Sequence, residues 1–157
     1  NSNNPDMFEI IADLVRSGID RNGIYDKVFN QYSVDRMRLM GYCLYTKMQI
    51  IPEYHTALIY LSRKELYRFN FSSGDAEGLV NLPLQISDVY YSCFMREDKD
   101  KIKISFRSQG DRPVNGLATA VFHGGGHVNA SGGEWHGSLK EAVEVFKANH
   151  PKYFKKE

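Results

Sequence analysis

The chain has 157 residues, 42% of them hydrophobic and 25% charged, and a net charge of +1. That length suits one domain, or one with a small appendage, and the near-neutral balance argues against indiscriminate polyanion binding. No apolar run approaches the ~20 residues of a membrane-spanning helix and no charged-then-apolar leader opens the chain, so no membrane role is expected.

The opening, Asn1 to Asp6, reads as a cut into something longer. Asn4 as cap and Pro5 at a first helical position predict a helix with Ile10, Ile11, Leu14 and Val15 on one face, ended by Gly18. Asp20 predicts a second cap, for a helix carrying Ile24, Tyr25, Val28 and Phe29. Ser33 opens a longer third helix whose Met37, Met40, Leu44 and Met48 recur at helical spacing, a pattern of core packing. Residues 1–50 thus read as a helical section. Its apolar faces call for a cover, supplied by a further domain or by a second chain in a homodimer.

From Tyr54 the character changes. His55–Leu61 is β-rich and predicts a buried strand. Ser62 with Glu65 forms a capping box for a short helix through Leu66 and Phe69. After a loop at Ser72–Asp75 and a segment interrupted by Pro83, Asp88–Met95 and Lys101–Phe106 predict a hairpin around Asp98-Lys99-Asp100. Ser138 with Glu141 is a second capping box, for a helix holding Ala142, Val143 and Phe146. The sum is an α/β fold, a mixed β-sheet flanked by helices and preceded by a helical connector. Cys43 and Cys93 lie in apolar settings without CxxC spacing, which predicts buried thiols in a reducing, cytoplasmic compartment.

The most informative stretch is Phe122–Trp135. Pro113 to Phe122 reads as a helix, ended by Gly124-Gly125-Gly126, with a restart at His127. A glycine loop feeding a new helix start would aim free N–H groups at a phosphate or a base edge. Glycine runs also serve as plain loops and C-caps. Around this stretch, Lys101, Lys103, Arg107 and Arg112 face only Asp111 over residues 101–112, an excess suited to a small phosphorylated ligand. His123 and His127 are four apart, a zinc spacing on a helix, but the intervening glycines disfavour one and no third ligand is near. Neither cysteine has a partner base, so no nucleophilic site is expected.

Ser105-Phe106-Arg107-Ser108, a helix, then Gly124-Gly125-Gly126-His127-Val128-Asn129-Ala130-Ser131-Gly132 resembles the DHH-associated domain of DHH-family phosphoesterases. It is most similar to the oligoribonuclease (nanoRNase) and pAp-phosphatase branch, and exopolyphosphatase-related. Glu77-Gly78-Leu79-Val80-Asn81 and Leu39-Met40-Gly41 resemble that branch too. The resemblance implies catalysis by Mn²⁺ in a separate N-terminal DHH domain. It implies no catalytic residue and no metal in this chain, which has no Asp-His-His triplet, so the chain alone is expected to be inactive. Residues 1–50 would then be connector and 51–157 the domain that binds a nucleotide or short single-stranded RNA. Arg107, Ser108, Gly124, Gly125, Gly126 and His127 would contact substrate, with Asn81 and His123 as further candidates. Many relatives carry a fourth glycine at His123, so a similar loop is expected only if His123 need not adopt a positive φ. The alternatives are a non-catalytic RNA-binding module, as at the end of some alanyl-tRNA synthetases, part of a cyclic-dinucleotide phosphodiesterase, and a plain α/β interaction domain.

Overall fold

A computed structural model describes residues 4–156, so Asn1–Asn3 of the opening segment lie outside the described residues. The chain divides into two compact units, 1–33 and 34–157. The first holds α1 (Pro5–Arg16) and α2 (Arg21–Phe29). Both predicted caps are present: Asn4 accepts from the Asp6 N–H, and Asp20 accepts from the Gly23 N–H at 2.9 Å. Such bonds satisfy donors that the first turn leaves orphaned. Phe8, Ile10, Ile11, Leu14 and Val15 of α1, with Ile24, Tyr25, Val28 and Phe29 of α2, are exposed.

The second unit is built on a six-stranded sheet with order β1-β2-β3-β4-β6-β5. Its strands are β1 (Gln49–Ile51), β2 (Thr56–Leu61), β3 (Tyr91–Glu97), β4 (Ile102–Ser108), β5 (Gly125–His127) and β6 (Ala130–Trp135). Only β2 and β3 run parallel; the other pairs are antiparallel. Parallel neighbours need a crossover. Here it contains α4 (Arg63–Arg68) and a 3₁₀ segment, Leu79–Gln85. The predicted β3–β4 hairpin forms, with Phe94 opposite Ser105.

Both sheet faces are used, but unequally. The back face buries Cys93, Met95, Ile104 and Phe106 beneath α5 (Asn115–Val121) and α6 (Leu139–Asn149), which contribute Leu117, Ala118, Val143 and Phe146. On the front face, Ile59, Leu61 and Phe94 of β2 and β3 pack with Leu39 and Cys43, Leu66 of α4, and Leu79 and Val80. Leu39 belongs to α3 (Val34–Tyr42), which continues as a π-helical turn, Cys43–Lys47. That turn is tied to α4 through Glu65, which accepts from the Tyr42 hydroxyl at 2.6 Å and the Lys47 ammonium at 2.8 Å. Burial pushes the Glu65 carboxyl up, but the bonds from Lys47, Tyr42 and Ser62 outweigh it and hold the group at about 2.

Both capping boxes are present, Ser62 with Glu65 and Ser138 with Glu141. Both cysteines are buried free thiols. Four local readings change. Met40, Leu44 and Met48 pack on the front cluster as expected, whereas Met37 is exposed. The helical section gives way before residue 50, because Gln49–Ile51 pairs with β2 as an edge strand. Helix α5 begins at Asn115 rather than Pro113, because the Val114 N–H donates to Val128 O at 2.8 Å. The glycine triplet feeds no helix; it enters β5 and turns back through β6.

Candidate functional site

On β4, alternate residues face opposite ways: Ile102, Ile104, Phe106 and Ser108 are buried, while Lys103, Ser105 and Arg107 are not. Arg107 therefore belongs to the front. Its register partner on β6 is Ala130, and the partner of Ala130 on β5 is His127. Directly opposed residues share a face. Arg107, Ala130 and His127 thus form one row, with the guanidinium and imidazole carriers about 10 Å apart across two strand spacings. The next row is Ser105, Gly132 and Gly125. The result is a shelf with a cation at one end and a histidine at the other, the small Ala130 between them and the Gly132 and Gly125 backbone in the row alongside.

Arg107 is half-buried, and among the described residues its Nη1 donates to the carbonyl of the adjacent Phe106, at 2.8 Å. His127 is exposed. A guanidinium that is not already held by a carboxylate is available for bidentate contact with a phosphate.

The three glycines have different reasons to be glycine. A Cβ on Gly124 would lie 1.9 Å from Gly132 O, and one on Gly126 would lie 2.7 Å from Ala130 O. Those two are required by the close approach of β6. A Cβ on Gly125 would meet only Thr119 Oγ1, at 4.0 Å. Only Gly125 has room for a Cβ, which would point to the side of Thr119 in α5.

Ser108 lies on the back face, 8% exposed, away from the Arg107 guanidinium. Its hydroxyl donates to Arg112 O and accepts from Asn129 Nδ2 at 2.9 Å. The same Asn129 amide donates to Gly110 O at 2.8 Å, and the Ser108 N–H donates to Asn129 O at 3.1 Å. These bonds pin the two-residue turn Val128-Asn129, and so set the height of His127 on the shelf. Ser108 acts as a clamp on the turn. Asn129 was not singled out from sequence. The tight His-Val-Asn-Ala spacing was its available signal, since two-residue connections join antiparallel strands.

His123 takes φ +49 in the left-handed turn that follows α5, so the condition for an unchanged loop is not met. Non-glycine residues enter that region at a cost. Here Gly124 N–H returns to Ala118 O at 3.0 Å. His123 is thereby placed outside β5 and outside the His127 row. Asn81 is exposed on the 3₁₀ segment, its N–H donating to Gly78 O at 2.9 Å.

Among the described residues, no three His, Cys, Asp or Glu side chains come together to hold a metal ion. The Mn²⁺ implied by the resemblance finds no fitting donor set among them. Among the same residues, no helix is long and apolar enough to cross a membrane.

The sequence profile of the DHHA1 domain matches residues 55–151. The bifunctional oligoribonuclease and PAP phosphatase NrnA of Bacillus subtilis is 34% identical over 82 residues, which is 52% of this chain and 26% of that protein. An exopolyphosphatase-related protein from Bacteroides fragilis superposes with a TM-score of 0.93 at 51% identity, covering 97% of this chain and 44% of its own. The pGpG-specific phosphodiesterase PggH of Vibrio cholerae shares the fold, with a TM-score of 0.53 at 14% identity over 83% of this chain and 42% of that one. The chain therefore spans less than half the length of each of these relatives.

Proposed function

The chain belongs to the DHHA1 domain family, and on that premise we propose that it is the nucleotide-binding part of a DHH-family phosphoesterase. The observation that carries the reading is the front-face shelf, where Arg107 and His127 flank Ala130 beside the row of Ser105, Gly132 and Gly125. A phosphate held by Arg107 would leave the attached sugar or base lying across the small Ala130 and the adjoining glycines, with its far edge at the His127 imidazole. The similarity to an oligoribonuclease and PAP phosphatase supports ligands of that kind, a very short RNA or 3′-phosphoadenosine 5′-phosphate.

The division of labour follows from what this chain has and lacks. Its residues bind and orient; the ester hydrolysis of the parent enzyme, with Mn²⁺, belongs to a separate DHH domain. Residues 1–33 serve as connector and 34–157, whose α3 and β1 pack into the sheet unit, as the binding domain, and the exposed apolar residues of α1 and α2 are covered by the catalytic domain or by a second copy. Fixing a substrate so that its scissile phosphate meets a separate reactive centre is itself catalytic, through proximity.

The test is calorimetric titration of this chain with 3′-phosphoadenosine 5′-phosphate. Arg107→Ala and His127→Ala should each weaken binding by about tenfold or more, the scale of a charge-assisted hydrogen bond. In the intact enzyme Arg107→Ala should lower kcat/KM at unchanged metal content. Binding that ignores both substitutions, or loss of the metal with Arg107, would overturn the reading. Affinity confined to long structured RNA with a steep salt dependence would instead favour an RNA-binding module.

A further inference from the structure

A pocket of about 410 Å³ lies between α4 and the β3–β4 turn, well away from the shelf. Arg107 pairs with Ser92, whereas Glu97, which lines this pocket, is the last residue of β3. Pocket and shelf are therefore about 17 Å apart along the strand direction.

The end of α4 builds one wall. Asn70 takes φ +48 and reverses the chain, so that the Phe71 N–H returns to Leu66 O at 3.1 Å. Such a left-handed stop lays the following apolar residue back against the helix. Leu66 and Phe71 thus make an apolar wall, and Tyr67 stands beside it, 86% exposed. The Asn70 amide, which donates to Asp35 Oδ2 at 3.1 Å, completes the rim.

The remaining lining is charged, and its acids are already engaged. Lys103 Nζ lies 3.1 Å and Arg96 Nε 3.2 Å from the Asp98 carboxylate. Burial raises that carboxyl, but the two cations outweigh it and hold the group below its ordinary range. Glu97 Oε2 accepts from the Arg63 N–H at 2.8 Å. Arg63 and Lys99 are exposed, and among the described residues neither charged group enters an ion pair. Two cations beside an exposed aromatic ring and an apolar wall suit a phosphate attached to a planar group.

We infer that this pocket is a second nucleotide site, which takes a nucleoside monophosphate independently of the shelf. The phosphate meets Arg63 and Lys99, the base stacks on Tyr67 against the apolar wall, and the Asn70 carbonyl accepts from the base edge. Its binding does not depend on the proposed function; its meaning rests on that reading. Hydrolysis of a very short RNA by the parent enzyme releases nucleoside monophosphates, so the pocket is a site for product.

Titration of the Arg107→Ala chain with adenosine 5′-monophosphate, followed by ¹H–¹⁵N NMR, tests this with the shelf disabled. Saturable shifts should appear at Tyr67, Asn70, Phe71 and Lys99. Tyr67→Ala, which removes the stacking ring, should weaken binding about fivefold or more. Lys99→Ala should weaken it by a similar factor, and adenosine, which lacks the phosphate, should bind about tenfold more weakly. Tyr67 and Lys99 are exposed, so neither substitution endangers the fold. Shifts absent from α4 and the β3–β4 turn, affinity that survives both substitutions, or adenosine binding as tightly as the monophosphate would overturn the site. Failure of the shelf to bind 3′-phosphoadenosine 5′-phosphate is a separate result, because Arg107 is already absent from this titration.

Discussion

Over β2 and β3 the front of the sheet carries Ile59, Leu61 and Phe94, closed in by Leu39, Cys43, Leu66 and Leu79. Over β4, β6 and β5 the same face carries Arg107, Ser105, Ala130, Gly132 and His127, and none of these belongs to a buried apolar cluster. The strands are continuous and the back face is packed beneath the second half, where Ile104 and Phe106 are buried by α5 and α6. The open half is therefore not a weak part of the fold. It is anchored from behind, which frees its front side chains from any duty to stability. A polar cluster on a rigid, back-packed sheet is preorganised for binding.

That contrast can be broken by substitution. The largest effect on folding should come from the closed half: Ile59→Ala removes a side chain with no solvent exposure and should cost about 2–5 kcal/mol by denaturant unfolding. Arg107→Ala in the open half should change stability by no more than about 0.5 kcal/mol. Comparable losses at the two positions would refute the division between them.

The glycine triplet sharpens it on a finer scale. Gly124→Ala drives a Cβ into the Gly132 carbonyl and should destabilise by about 1–3 kcal/mol, as overpacking does. Gly125→Ala meets nothing closer than 4.0 Å, so its effect on stability should be neutral or favourable by up to about 1 kcal/mol. Equal destabilisation by both would mean that the triplet serves only the hairpin.

Much of the frame was legible in local chemistry. Asn4, Asp20, Ser62 with Glu65, and Ser138 with Glu141 announce helix starts because a side-chain acceptor two or three residues ahead of a free N–H is a purely local pattern. The β3–β4 hairpin was equally visible, two β-rich runs around a charged turn. Strand β5 was not, since Gly-Gly-His has no strand-forming side chains and is a strand only because β6 supplies its partner. At the site, Arg107 and His127 were legible as residue types and through family resemblance. Their shared row was not, because it depends on the register of two strand pairs across twenty residues of chain. Ser108 shows the same gap in reverse: adjacent to Arg107 in sequence, it points to the other face and grips the Asn129 turn.

The central claim is that the open half of the front face holds the nucleotide. Mapping amide chemical shifts of the chain by ¹H–¹⁵N NMR during titration with 3′-phosphoadenosine 5′-phosphate tests it most directly. The account predicts perturbations concentrated at Ser105, Arg107, Gly125, His127, Ala130 and Gly132, with the amides of α6 and of the Ile59–Leu61 region unmoved. Saturable shifts centred on α6 or on the closed half, with the Arg107–His127 row silent, would contradict it.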